Sequence, residues 1–121
     1  MSELILALAI ALTGGMGAAL RYLTDRSLPA RVRERYAWGT LIVNAMGSLA
    51  LGLLTGASLT HPAGAVVATG LLGGYTTFST ASVESIRLLL DKRYLASLAH
   101  GPGMLIVCTA LAVVGIVLTN T

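Results

Sequence analysis

Arg35 and Glu84 bracket 48 consecutive residues without a formal charge, and no other feature limits the possible folds of this chain so strongly. A second uncharged run extends from Tyr94 to Thr121, and a third, from Leu4 to Leu20, is 17 residues long. A helix that crosses the hydrocarbon of a bilayer needs about 20 mostly apolar residues, with roughly 17–25 as the working range. The long run holds two such spans and the others one each, so the sequence predicts four transmembrane helices. Only 11% of the residues are charged, whereas a soluble domain carries about a quarter. Disorder, collagen, a soluble enzyme and a disulfide framework are thereby excluded. The expected fold is an all-α integral membrane protein, with residues 1–121 as one four-helix domain in the cell membrane.

The first predicted span is Leu4–Leu20, broken late by Gly14, Gly15 and Gly17. A loop holding Arg21, Asp25, Arg26, Pro29, Arg31, Arg33, Glu34 and Arg35 follows. The second span is Trp38–Leu59, closed by a turn at His61-Pro62. The third is Gly64–Leu90, the next turn is Asp91-Lys92-Arg93, and the fourth span is Leu95–Leu118. Tyr22, Tyr36, Trp38 and Tyr94 fall near these ends, where amphipathic rings favour the head-group layer. The N-terminal run lacks the basic n-region of a secretory signal, and three more spans follow it. Cys108 stands alone inside the last span and gives no redox compartment.

The net charge of +3 does not point to nucleic acid here, because the basic residues sit beside spans. All 8 Lys and Arg lie between spans one and two or between spans three and four. In a four-span topology these two loops share one side, and the other side has neither residue type. The positive-inside rule then places both charged loops in the cytoplasm and both termini outside.

Attraction between spans in lipid relies on small residues that let backbones approach. Ser48, Gly52 and Gly56 form such a ridge on the second span, and Gly14 with Ala18 another on the first. These ridges fit packing within the chain or against a second subunit. Asn44, six residues into the second span, either bonds a neighbouring helix or donates its amide N–H groups to an anion in an aqueous path. The third span carries Gly70, Gly73, Gly74, Tyr75, Thr76, Thr77, Phe78, Ser79, Thr80 and Ser82. Glycine disfavours a helix interior by about 1 kcal/mol relative to alanine, and threonine hydroxyls compete for backbone carbonyls. The stretch reads either as a glycine-rich packing face or as a helix break. A break would free carbonyl oxygens suited to a small cation, tolerated only inside protein or against a cavity.

Three motifs in order carry a resemblance. They are Gly14-Gly15-Met16-Gly17 with Arg21-Tyr22, then Gly39-Thr40-Leu41-Ile42-Val43-Asn44 with Gly47, then residues 69–80, TGLLGGYTTFST, followed by Glu84. Together, in four-span setting, they resemble the Fluc (CrcB) family of fluoride channels. The resemblance implies an antiparallel dual-subunit channel with a break in the third helix and two pores, passively exporting fluoride. It also implies a structural, non-transported sodium ion (Na+) at the centre, held by the backbone carbonyls of Gly73 and Thr76. Asn44, Phe78, Ser79 and Thr80 match the fluoride pathway, and Arg21 matches a vestibule arginine that attracts anions. Such groups suit fluoride: amide and hydroxyl donors replace its water, and a phenyl ring offers a positive edge.

The chain departs from the family at Ala81, where a second phenylalanine is usual, and at Met104 and Cys108, where hydroxyls are usual. Gly101-Pro102-Gly103 is expected to kink the fourth span, and His100 reads best as a residue near the membrane interface. The impoverished pore wall and the charge bias both favour a heterodimer with a second subunit of the family over a homodimer. A proton-coupled exporter of the small multidrug-resistance kind is the rival reading, but it needs a carboxylate at membrane depth. Glu3 is too near the terminus, and Glu84 has Arg87 one turn away. A non-conducting partner subunit is the other alternative. An enzyme is not expected.

Overall fold

The computed structural model describes residues 2–35, 37–57, 64 and 66–119. The predicted end of the second span at Leu59, the His61-Pro62 turn and Tyr36 lie outside the described residues. Among the described residues all regular structure is helical. Helix α1 is Glu3–Arg26, α2 is Ala30–Arg35 and α3 is Trp38–Gly56. Helix α4 runs as a π-helical stretch, Val66–Leu72, and closes in an α-helical turn, Gly73–Tyr75. Helix α5 is Ser79–Leu90, α6 is Tyr94–His100 and α7 is Pro102–Thr119.

The first predicted span needs correction at both its end and its glycines. Helix α1 continues unbroken for 24 residues, so Arg21, Asp25 and Arg26 belong to its last turns and not to a loop. Ser2 caps it by accepting from the Ile5 N–H, with Glu3 in the first turn and Arg26 in the last. Those charges oppose the helix dipole favourably at each end. The glycines serve contact instead of rupture. A Cβ on Gly17 would lie 2.8 Å from the Tyr75 N and 3.1 Å from the Gly74 carbonyl carbon. A Cβ on Gly74 would lie 2.8 Å from the Gly14 carbonyl carbon. Backbone therefore meets backbone between α1 and α4, the close approach that small residues allow in lipid.

The Gly52 and Gly56 ridge also packs within the chain, against α7. Their Cβ positions would run into Ala112 and Ile116, and that of Gly115 would lie 2.7 Å from the Leu49 oxygen and the Leu53 nitrogen. Helix α3 is the central element. Of its most apolar window 39% is buried, against 6% for α1 and 11% for Tyr94–Thr119. The outer helices expose their leucines, isoleucines and valines, as lipid-facing surfaces do.

Three helical stretches are long and apolar enough to cross a membrane: Glu3–Arg26, Trp38–Gly56 and Tyr94–Thr119, the last formed by α6 and α7 together. The predicted third span, Gly64–Leu90, is not among them. Its described residues divide into α4 and α5, neither of which has the length. In the Tyr94–Thr119 stretch the backbone departs from helix at Gly101, with φ −88° and ψ −95°. Pro102 follows and has no N–H to continue the ladder.

Helices α5 and α6 form a hairpin closed by a Schellman cap. The Arg93 N–H donates to the Leu88 oxygen at 2.9 Å, and the Lys92 N–H donates to the Leu89 oxygen at 3.0 Å. Lys92 stands where glycine is usual, at φ 61°.

Candidate functional site

Between α4 and α5 the chain leaves helical geometry at Thr76 and Thr77. The Thr76 N–H makes the last helical bond, to the Leu72 oxygen at 3.0 Å. Its backbone then turns extended, at φ −82° and ψ 163°. Thr76 Oγ1 also donates to the Leu72 oxygen, at 3.0 Å. Such competition for a carbonyl by a hydroxyl is why threonines weaken a helix they follow. Beyond the gap, Thr77 Oγ1 accepts from the Thr80 N–H at 3.2 Å and so caps the first turn of α5.

The interruption frees backbone groups that hydrocarbon cannot satisfy. Asn44 supplies the partners. Its Oδ1 accepts from the Thr77 N–H at 2.8 Å, and its Nδ2 donates to the Thr77 oxygen at 2.8 Å. Both residues are buried. Of the two readings open for Asn44 in the sequence, a bond to neighbouring protein is therefore present. The same Nδ2 lies 3.2 Å from Met104 Sδ on α7. Gly47, one turn along α3, leaves room for the Thr76 methyl group.

Arg21 reaches the same place from α1. Its Nη1 donates to the Thr76 oxygen at 3.4 Å, a long bond that sets a positive charge beside the interruption. Tyr75 is tied to α1 as well, its hydroxyl 3.0 Å from Thr24 Oγ1.

A groove of about 700 Å³ opens beside these residues. Asn44, Gly73, Thr76 and Phe78 line it, with Met104 and Cys108 on the facing helix. Phe78, the one phenylalanine of the chain, is 86% exposed at the edge of the groove. Ser79 and Thr80 are exposed at the start of α5 but do not line the groove. The structure thus assembles Arg21, Asn44, Gly73, Thr76 and Phe78 around one interruption and leaves Ser79 and Thr80 on its outer side.

Some residues at the site are not singled out by sequence reasoning. Thr77 lies inside the hydroxyl cluster, yet nothing in the pattern distinguishes it from its neighbours. His100, which the sequence offers as a residue near the membrane interface, is fully buried within the chain, and its pairing with Glu84, Nε2 to Oε1 at 3.1 Å, is what sequence reasoning does not single out. Beside them, Ser97 Oγ donates to the Ser85 oxygen at 2.7 Å and Ser85 Oγ to the Ser97 oxygen at 3.0 Å. The signal for these pairs was symmetry: each joins residues nearly equidistant from the turn at Lys92.

The sequence is also similar to known proteins over most of its length. The family model described as CrcB-like protein, Camphor Resistance (CrcB), matches residues 8–116. The fluoride-specific ion channel FluC 1 of Leifsonia xyli subsp. xyli is 40% identical over 116 residues, covering 93% of this chain and 85% of that protein. FluC 2 of Cutibacterium acnes is 40% identical over 118 residues, covering 90% and 93%. FluC 2 of Rhodococcus jostii is 41% identical over 113 residues, covering 93% and 97%. With apolar helices of membrane-spanning length and a match over most of its sequence, the chain belongs to the CrcB family of fluoride ion channels, membrane proteins and not enzymes.

Proposed function

We propose that this chain is one subunit of a passive fluoride channel that lowers cytoplasmic fluoride. The observation that carries the reading is the interrupted segment at Thr76–Phe78, held by Asn44 beside a groove, in a chain of this family. In this reading α4 and α5 cross the bilayer together as a fourth, discontinuous span. Irregular backbone at that depth needs protein or a cavity around it, and Asn44 and the groove supply both.

Fluoride is small and strongly hydrated, so its path must replace water with donors. The Asn44 amide and the edge of Phe78 are neutral donors of that kind at the groove, and the Ser79 and Thr80 hydroxyls, outside the groove of a single chain, would join them only where the path continues beyond it. Arg21 adds a positive charge that draws anions toward the interruption. A fixed lysine in the path would hold the ion too firmly, since conduction needs weak, multiple sites. The membrane potential supplies the drive, about 2.3 kcal/mol per charge per 100 mV. That corresponds to roughly fifty-fold lower internal anion at equilibrium, since each ~1.4 kcal/mol is tenfold.

The Gly73 and Thr76 carbonyls would hold the structural sodium ion, which would tie two subunits together. The chemistry fits: carbonyl oxygens are hard ligands, and the Thr76 oxygen already attracts the Arg21 guanidinium. One chain offers too few such oxygens for a sodium ion, so the site calls for a second subunit. We place both termini outside the cell, on the charge count. The partner is a sister chain inserted in the opposite orientation, because 8 Lys and Arg on one side disfavour inversion of this chain.

A proton-coupled exporter would need an uncommitted carboxylate at membrane depth, whereas Glu84 faces His100. The test is fluoride release from liposomes clamped at a set potential, with and without a proton gradient. Release that follows potential alone is expected; release only under a proton gradient would refute the passive channel.

A further inference from the structure

The Asn44 amide has one carbonyl and two N–H donors to place. Its carbonyl and one N–H are committed to the Thr77 backbone, at 2.8 Å each. That reciprocal pair fixes the orientation of the amide, because exchanging its oxygen and nitrogen would set donor against donor. The second N–H is left for Met104 Sδ, 3.2 Å from Nδ2. Asn44 and Met104 are 9% and 4% exposed, and both line the groove. A thioether is a weak acceptor.

We propose that Met104 is a specificity-determining residue for anion passage: its thioether holds the one Asn44 N–H not committed to Thr77, as a neutral stand-in that a small, charge-dense anion displaces. The inference rests on the fluoride reading for the identity of that anion. Without an acceptor the buried N–H would be unsatisfied, and an anion reaching it would bind firmly and leave slowly. A strong acceptor in the same place would keep the N–H for itself. Sulfur lies between these extremes, which is the condition for a site that recognises an ion and then releases it. Larger halides gain less from one N–H, so they displace the sulfur less readily. The bonds to Thr77 keep the donor in place as the ion moves on.

The test follows the Asn44 side-chain amide of the full chain in detergent micelles by 15N–1H NMR, during titration with sodium fluoride and separately with sodium chloride. One amide proton, the one directed at Met104, is expected to move with fluoride, while the proton on Thr77 stays. In Met104→Leu, which keeps the volume and removes the acceptor, the fluoride midpoint should fall roughly two- to fivefold, the worth of a weak hydrogen bond. Met104→Ile is a second apolar variant should the first misfold. Unchanged midpoints in the variants, equal movement of both protons, or an equal response to chloride would overturn the proposal. Fluoride efflux from liposomes that hold this chain together with its oppositely oriented sister chain separates the two readings. A fluoride-shifted amide without efflux sinks the channel and leaves Met104 acting only on anion binding at Asn44, whereas efflux with an unmoved amide keeps the channel and overturns the Met104 proposal.

Discussion

Asn44 and Thr77 exchange two hydrogen bonds in the manner of paired strands, in the middle of a helical protein. Asn44→Ala leaves both Thr77 backbone groups without partners in a buried place. The expected loss is about 2–6 kcal/mol, on the basis of roughly 1–3 kcal/mol for each unsatisfied group. A lowered thermal midpoint in detergent would report it; an unchanged midpoint would mean that the pairing contributes nothing. Lys92 offers the opposite case. It holds φ 61° at the cap of α5, a conformation that costs a residue with a Cβ about 1–2 kcal/mol. Lys92→Gly relieves that strain but adds chain entropy, so a modest gain of about 0.5–1 kcal/mol is expected. At Arg21 the issue is competition. Its guanidinium occupies the Thr76 oxygen proposed as a sodium ligand, so Arg21→Gln should lower the sodium concentration needed for half-maximal channel activity. No shift would separate Arg21 from the cation site.

The helices were legible in the sequence to different degrees. Uncharged length located α1, α3 and the α6–α7 stretch, because lipid exposure leaves hydrophobicity as the dominant signal. The roles of the glycines in α1 were not legible from that segment alone. A glycine weakens a helix and invites close packing equally, and only the matching Gly70 and Gly74 on α4 decide between these. The interruption after Tyr75 was visible as an alternative, in the glycines followed by hydroxyls, but its reciprocal clamp by Asn44 depends on a residue 33 positions away. The π-helical winding of Val66–Leu72 has no signature in its residues, and nothing in the structure explains it. The α1–α4 contact makes a contrast between two small changes. Gly74→Ala drives a methyl group into the Gly14 backbone, whereas Gly15→Ala meets nothing within 4 Å. Overpacking typically costs about 1–3 kcal/mol, so the first should lower the thermal midpoint and the second should not.

At the scale of the whole molecule, the chain stands open on its groove side. Phe78 is 86% exposed beside a groove, and Gly73 has open space where a Cβ would stand. Within a single chain Gly73→Val therefore has no steric reason to disturb packing. In the proposed assembly it lies at the subunit contact, so it should abolish dimer formation while leaving helix content intact; cross-linking in liposomes and circular dichroism check the two halves. The family match and the helical membrane character were reached from sequence because motifs and uncharged runs are local features. The number and orientation of subunits were not, since they depend on a surface that a single chain only offers. The most direct measurement is fluoride efflux, followed with a fluoride electrode, from liposomes that hold this chain together with an oppositely oriented sister chain, with chloride as the control. Rapid release of fluoride without chloride is expected from the pair, and little release from this chain alone. Equal release of both anions, or none from any combination, would contradict a fluoride channel.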